Sequence, residues 1–457
     1  MAKSMNPRVS TSRRRFLQGL GAGLAALQVV PARVLGGERG PAPSDKVNIA
    51  CIGAGNRGGD SVRACRGQTI VGLCDVDDKL AAETYRQFPE AKKFRDFRKM
   101  LDELDKSIEA VTVGIPDHTH AVAAMDAMRR GKHVYCEKPL AHSIGEVRAL
   151  MALARESKVV TQLGNQGHSS DDIRSLCEWV WDGAIGRVTE IHACCDAFPR
   201  VYCQIDDLPK LAEKHAVPPT LDYDLWLGPA HFRPYSPLWV PWNWRGWLPF
   251  GCGCIGDWIC HVVDPSFWAL DLGLPATICA EVRNYDPKLH ADVYPPGVRI
   301  TFQFPAKGPR GPVKLVWCDG TERVPRPPML EEGENPPGTG AVLYGDKGVL
   351  MHGSHGAGGV RLIPQERMRA YKRPDRRLAR VSGQDHHRDW LNAIVANRQS
   401  GSPFAYGGPL TEIALLGVIA IRFPERELKW DAEKMRFTNA EEANAYVAPP
   451  YRRGWEL

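Results

Sequence analysis

From residue 47 onward, short apolar runs alternate with longer amphipathic stretches. The runs at 47–52, 70–75, 110–115, 133–136 and 159–164 have strand length and few polar interruptions. Strands buried on both faces read this way, and a parallel sheet covered by helices buries them. Stretches at 57–66, 117–130 and 143–157 supply helices between them. The pattern predicts an α/β fold that opens with a Rossmann-type, doubly wound parallel sheet over 45–168. Strand-like runs at 189–195 and 298–304 predict a second, α+β domain over 169–457 with an open, mostly antiparallel sheet. Residues 318–340, rich in Pro, Gly and Glu, read as a long loop, and the basic stretch 367–380 as a solvated face. The helical region 383–425 is expected to pack back on the first domain, with His386 and His387 capping or starting a helix there.

The first apolar run leads straight into Gly53-Ala54-Gly55-Asn56-Arg57-Gly58. Gly53 permits a tight turn, Gly55 lets the backbone approach a pyrophosphate, and Gly58 lets the helix close on the strand. The N-terminus of that helix, at Asn56 and Arg57, attracts phosphates. Asp75 closes the next strand, 20 residues beyond Gly55. A carboxylate there binds a ribose 2′-hydroxyl and repels a 2′-phosphate, so the expected cofactor is NAD, with NADP as second choice. In such sheets ligands sit at the carboxyl ends of the strands. That places three polar groups at the site: Pro116-Asp117-His118-Thr119-His120, Glu137-Lys138-Pro139 and Asn165-Gln166-Gly167-His168.

Charge and cysteine content narrow the partners. The formal charge of +6 is carried by residues 1–44, where Lys3, Arg8, Arg13, Arg14, Arg15, Arg33 and Arg39 face only Glu38. The rest is balanced, so nucleic-acid binding has no electrostatic support. Arg13-Arg14-Arg15-Phe16-Leu17 precedes an apolar run to Val30, shorter than the ~20 residues that span a bilayer. This predicts a twin-arginine signal and linker over 1–44, with the Tat translocase as partner and a periplasmic or otherwise exported location. Small residues at Ala32 and Gly36 offer no clean cleavage site, so an uncleaved signal stays open. Export as a folded chain also implies tightly bound cofactor, because outside the cytoplasm it cannot exchange with a soluble pool. The 13 cysteines are an odd set, several within apolar runs, and read as core thiols. Neither Cys252-x-Cys254 nor Cys194-Cys195 has zinc spacing, and no metal is expected.

The chemistry-bearing segment is Gly256-Asp257-Trp258-Ile259-Cys260-His261-Val262-Val263-Asp264. Asp257 and His261 are four apart and share a helix face, so the carboxylate is expected to orient His261 and raise its pKa. The ordered set of Gly53–Gly58, Pro116–His120, Glu137–Pro139 and Gly256–Asp264, with Tyr344-Gly345-Asp346-Lys347-Gly348 and an apolar helix at 410–422, resembles the Gfo/Idh/MocA oxidoreductases from residue 46 onward. The resemblance implies that Lys138 acts at the reacting hydroxyl, His261 is the general acid–base, and Asp257 binds substrate and tunes His261. It implies that Pro116, His120, Glu137 and Lys138 complete the cofactor pocket, and that the chain forms a homodimer or homotetramer through its open sheet. Ile259 departs from a glycine common in the family, and Gln166 and His168 stand where many sugar dehydrogenases carry an arginine-containing loop.

Seven of the 13 tryptophans fall between 226 and 268, beside Arg245 and the catalytic helix. Aromatic faces suit a sugar or cyclitol, so Gln166, His168, Trp244, Arg245 and Trp258 are the expected substrate contacts. The leading expectation is an exported oxidoreductase taking hydride from a carbinol. A redox-neutral glycosidase, oxidising its substrate transiently before elimination, is the alternative, and intact Lys138 leans against it. A non-catalytic sugar sensor is disfavoured by intact Lys138, Asp257 and His261.

Overall fold

The computed structural model describes residues 46–457; the twin-arginine motif and the apolar run behind it lie outside the described residues. Six parallel strands form the first sheet: β1 (Asn48–Ile52), β2 (Thr69–Cys74), β3 (Lys92–Phe94), β4 (Ala110–Val113), β5 (His133–Glu137) and β6 (Thr161–Gly164). Their spatial order is β3-β2-β1-β4-β5-β6. The helices between them are α1 (Asn56–Ala64), α2 (Asp78–Gln87), α3 (Phe97–Leu104), α4 (Asp117–Arg129) and α5 (Ile144–Ser157). The order reverses between β1 and β4, which opens a crevice at their carboxyl ends. Three elements are additional to those predicted. α2 buries only Ala81 and Thr84, β3 is a short strand starting with two exposed lysines, and α3 is two turns long. α2 and β3 have too little apolar content to give a periodic signal, whereas α3 carries one, at Phe97, Met100, Leu101 and Leu104, over only eight residues. Capping starts both helices: the Asp77 carboxylate accepts from the Lys79 and Leu80 amides, and that of Asp96 from the Arg98 amide.

The second half adds α6 (Asp171–Trp181), β7 (Val188–Cys195), α7 (Gly253–Val262), α8 (Asp264–Leu270), β8 (Thr277–Arg283), β9 (Gly297–Phe304), β10 (Val313–Gly320), β11 (Thr339–Gly345), β12 (Gly348–Gly353), β13 (Arg361–Ile363), α9 (His386–Val395), α10 (Phe404–Ala420), β14 (Leu428–Asp431) and β15 (Arg436–Phe437). The strands make one sheet in the order β13-β12-β11-β7-β10-β9-β8-β14-β15. Only β7 and β10 pair in parallel. Ile191, Ala193, Ile300, Phe302, Leu315 and Trp317 point from one face into a core shared with α7 and α10.

Helix α10 ties the two halves together. Near its start Gly407 lies on Leu163 of β6 and Gly408 on Met151 of α5; near its end Gly417 faces Ile255 of α7 and Phe302 of β9. A helix apolar on all sides is what such a central position requires. From α9, Trp390, Leu391 and Ala393 join Ile49, Cys51 and Tyr135 in the first domain's second core. The stretch 367–380 is mostly exposed, as a solvated face is, but its end is anchored. Arg380 donates to Glu178 of α6 at 2.7 Å, as do the Arg377 and Leu378 amides at 2.8 and 2.9 Å, because that buried carboxylate needs neutralising. All 13 cysteines are free thiols. No helix among the described residues is long and apolar enough to cross a membrane.

Buried histidines make this fold acid-sensitive. Burial pushes His118 and His387 down to about 3, and His120, His142, His352 and His386 down to about 4. In the unfolded chain these imidazoles take up protons below about pH 6.5, while in the fold they stay neutral until far lower, so acidification favours unfolding. Asp117, Glu146 and Asp319, each pushed up to about 7 by burial, act oppositely because the fold binds their protons first. The histidines are the larger set, so the melting temperature is expected to fall as pH drops from about 6.5 toward 4. Thermal melts across that window check it, and a melting temperature that rises on acidification contradicts it.

Candidate active site

The crevice between the halves is a cleft of about 500 Å³. Gly53, Gly55, Asn56, Arg57 and Asp75 line one end; Pro116, His120, Glu137, Lys138 and Gln166 line its middle; Tyr202, Trp244, Arg245, Asp257, Trp258 and His261 close the other end. Gly53 has φ +94°, a turn that side-chain-bearing residues rarely make, and its Cα faces the Gly114 carbonyl at the end of β4. Gly58 does not face the cleft. It packs α1 onto the Gly53 and Gly114 carbonyls. Asp75 accepts from the Ala54 and Gly55 amides at 2.9 Å each and from the Asp77 amide at 3.0 Å. The carboxylate therefore also holds the glycine loop in shape, while still lining the cleft.

Glu137 ends β5. Its Oε1 accepts from Arg57 Nε at 3.1 Å and Gln166 Nε2 at 2.9 Å, and its Oε2 is buried with no partner. Gln166 also donates to the Tyr135 hydroxyl at 2.8 Å. His120 sits between the Pro139 and Ile115 carbonyls, each 2.8 Å from a ring nitrogen. It thus braces the turn that carries Lys138.

Asp257, on α7, gathers the reactive groups. Lys138 Nζ donates to its Oδ1 at 2.5 Å, and Tyr202 and Arg245 Nε donate to its Oδ2 at 2.6 and 3.1 Å. Burial opposes ionisation of Asp257, but Lys138 and Arg245 outweigh it and hold the carboxyl down at about 2. Burial, with the Asp257 charge added, pushes Tyr202 well above the usual phenol range. Tyr202 is therefore a neutral donor, and its oxygen accepts from Trp258 Nε1 at 2.9 Å. Arg245 lies between two indoles, 4.2 Å from the ring centres of Trp242 and Trp244. Guanidinium–aromatic stacking fixes its fork toward Asp257.

The expected pairing of Asp257 with His261 is corrected. Both residues are on one helix face, but Asp257 spends its oxygens on Lys138, Tyr202 and Arg245. Burial first, then Lys138 and His355, push His261 well below the usual histidine range. The imidazole is neutral at neutral pH, which is the form that accepts a proton. Its Nδ1 is buried without a hydrogen-bond partner.

His168 is a second correction. Expected at the substrate, it is buried outside the cleft lining, with Nδ1 3.0 Å from Asp264 and its ring stacked on Trp268 at 4.5 Å. Asn165 and Tyr406 donate to the same Asp264 carboxylate at 2.9 and 2.5 Å. The short turn Gln166–Ser169 sends Gln166 toward the cleft and His168 into the core. Among the tryptophans, Trp226, Trp242, Trp244 and Trp258 line the cleft, while Trp239 and Trp247 pack the domain interior. Tyr202, Phe198 and His355 are cleft residues that the sequence reading missed. Tyr202 sits in a single helical turn and His355 in a glycine-rich turn, and neither carries a motif.

Comparison with known proteins agrees with this architecture. Residues 47–165 match the family described as "Oxidoreductase family, NAD-binding Rossmann fold", and residues 208–309 its "C-terminal alpha/beta domain". A levoglucosan dehydrogenase of Pseudarthrobacter phenanthrenivorans is 30% identical over 193 residues, 42% of this chain and 40% of the relative. An inositol 2-dehydrogenase of Saccharopolyspora erythraea is 30% identical over 152 residues, 32% of this chain and 44% of the relative. The chain thus matches about half the length or less of these curated relatives. In three dimensions it is similar to a levoglucosan dehydrogenase in complex with NADH and levoglucosan, with TM-score 0.55, 19% identity, and coverage of 84% of this chain and 99% of that one. An inositol dehydrogenase homologue of Azotobacter vinelandii, complexed with NADH and myo-inositol, gives TM-score 0.54 at 13% identity over 84% of this chain and 98% of that one. These likenesses show the fold. Residues 47–165 and 208–309 thus match the two domain models of the Gfo/Idh/MocA oxidoreductases, in the order in which the two domains follow along this chain.

Proposed function

We propose that the protein is an NAD-dependent oxidoreductase acting on a carbinol of a sugar, glycoside or cyclitol. The observation that carries this reading is the joining of Lys138, Asp257, Tyr202 and Arg245 beside His261, in the crevice that starts at the glycine loop. The names of the relatives, levoglucosan and inositol dehydrogenases, support the substrate class. The residues fit the cofactor: Gly53, Gly55, Asn56 and Arg57 line the cleft at the α1 N-terminus, Asp75 flanks it, and Glu137 Oε2 is a buried acceptor in want of a donor. When bound, NAD supplies the hydride acceptor. Lys138 donates to the substrate oxygen and stabilises the negative charge that grows there. Neutral His261 takes the hydroxyl proton. Asp257 keeps the Lys138 side chain in place, and Tyr202 and Arg245 hold Asp257.

The twin-arginine motif supports export of the folded chain by the Tat translocase, with cofactor tightly held. The open sheet supports a homodimer or homotetramer. The reading is tested by extracting purified full-length protein and identifying released cofactor by mass, then adding a panel of monosaccharides, levoglucosan, myo-inositol and p-nitrophenyl glycosides. Released NAD(H) and reduction of the cofactor by a polyol are expected. Protein that neither carries nor binds NAD overturns the proposal, and steady aglycone release without net reduction turns it to the redox-neutral glycosidase.

At the mouth, Trp242 is 41% exposed and faces the cleft. Trp242→Ala is expected to raise KM about 5–10-fold, the size of one aromatic contact, and to lower kcat to a smaller degree because Arg245 loses one of its two stacking partners. Steady-state kinetics check this. An unchanged KM removes Trp242 from the substrate contacts.

A further inference from the structure

His261 lacks the partner that acid–base histidines ordinarily have. No carboxylate or carbonyl meets its Nδ1, which is buried and unpaired. Its plane is set by another ring. The His355 imidazole lies face to face with it, 4.2 Å between centres and 19° between planes, and Trp258 meets both edge-on at 5.9 and 5.5 Å.

The backbone that presents His355 is built tightly. It follows β12 in a turn where His355, Gly356 and Ala357 all have positive φ, at 54°, 84° and 64°. Two of the three carry side chains, and non-glycine residues hold this conformation only where the surroundings over-determine it. Here the surroundings do. A Cβ on Gly167 would fall on the His355 carbonyl group, and one on Gly356 would fall on the Gly167 carbonyl. Ser170 Oγ donates to the Gly356 carbonyl at 2.7 Å, and the Gly353 amide to the Gly358 carbonyl at 2.8 Å. Ser354 Oγ lies 2.8 Å from His355 Nδ1 and steadies the ring. The turn is clamped to residues 167–170, directly after β6, and the ring it carries lines the cleft.

We propose that His355 is a positioning residue for His261: stacked face to face, it fixes the plane of the acid–base imidazole and offers a π surface to the imidazolium that forms during turnover. A neutral ring accommodates a cation against its face, and two imidazolium rings in contact repel, so only one ring of the stack carries a proton at a time, and His355 presents a neutral face whenever His261 is the protonated one. The other charged or titratable groups that bear on His261 are Lys138, Arg57 and His386. This rests on the reading of His261 as the acid–base group.

Two variants separate stacking from folding. His355→Asn keeps a residue that tolerates the left-handed backbone and removes the ring; His355→Phe restores a flat ring that cannot titrate. With the best substrate of the wild type, His355→Asn is expected to lower kcat about 10–100-fold, the range for losing a residue that orients a reactive group. KM and bound NAD stay near wild type, and His355→Phe recovers most of kcat. A readout independent of turnover is the His261 ring signal by NMR in selectively labelled protein. Its titration midpoint is expected to rise in both variants, since each removes an imidazole that competes with His261 for the one proton of the stack. Wild-type kcat and an unmoved His261 midpoint in His355→Asn overturn the proposal, as does a His355→Phe no better than His355→Asn at equal NAD content. If the wild type oxidises no sugar or cyclitol, the functional reading fails while the NMR comparison still judges the stack.

Discussion

Lys138→Met is expected to lower kcat by about 10²–10³-fold, the cost of removing one charged donor from a developing alkoxide. Methionine keeps the length of the side chain and removes the charge. Two effects combine. The substrate oxygen loses its donor, and Asp257 loses its 2.5 Å partner, leaving Tyr202 and Arg245 to hold it. NAD content is expected to persist, because the glycine loop, Arg57 and Asp75 lie at the other end of the cleft. Lys138 also helps keep His261 neutral, so its removal moves the His261 titration upward. The acid limb of the residual activity should therefore lie at higher pH than in the wild type. Single-turnover reduction of bound cofactor, measured beside cofactor content, isolates the chemical step. A rate within about 5-fold of wild type would remove Lys138 from the mechanism.

Gly53→Ala carries the second large effect, on cofactor binding and stability. Gly53 turns the chain at φ +94°, and its added Cβ would run into the Gly114 carbonyl, with Ile115 Cγ2 at 3.1 Å behind it. Gly58 and Gly114 are already closed against the same place, so no neighbour can give way cheaply. The strained φ costs about 1–3 kcal/mol and the overpacking a similar amount. The expected result is a lower melting temperature together with loss of bound NAD, since the start of α1 and the Asp75 carboxylate that holds the loop move with the turn. Thermal unfolding and cofactor stoichiometry on the purified variant check both. Full stoichiometry at an unchanged melting temperature would show that the loop does not depend on this glycine.

The first domain was legible because its signals are local. A buried parallel strand needs an unbroken apolar run, and the loop between β1 and α1 needs glycines at set intervals; both are properties of a few consecutive residues. α2 and β3 escaped for the converse reason, having little buried surface to imprint a period, while α3 prints its period at Phe97, Met100 and Leu101 over only two turns. The second domain was legible only as a class. Its runs at 189–195 and 298–304 read as strands, but the parallel pairing of β7 with β10 inside an otherwise antiparallel sheet joins segments more than a hundred residues apart.

In the candidate site, motifs nominated Lys138, Asp257 and His261, and all three line one cleft. Their partners were not legible. Helical spacing put Asp257 on the same face as His261, yet a carboxylate ionises where it finds cations, and folding brings it Lys138 from 119 positions away and Arg245 from 12. The same logic moved His168 out of the cleft: it follows β6, as site residues do, but a short turn delivers it to Asp264, and the clamp on residues 167–170 presents His355 instead.

The amino-acid sequence by itself determined the central strands and the longer helices of the nucleotide half, where its glycine turn lies and which reactive side chains the chain owns, because these depend on neighbours within a few residues. Only the tertiary structure decided which of those side chains meet. Asp257 went to Lys138, Tyr202 and Arg245, His261 to the face of His355, and His168 to the core, since each choice balances burial against the charges and rings that distant segments bring alongside.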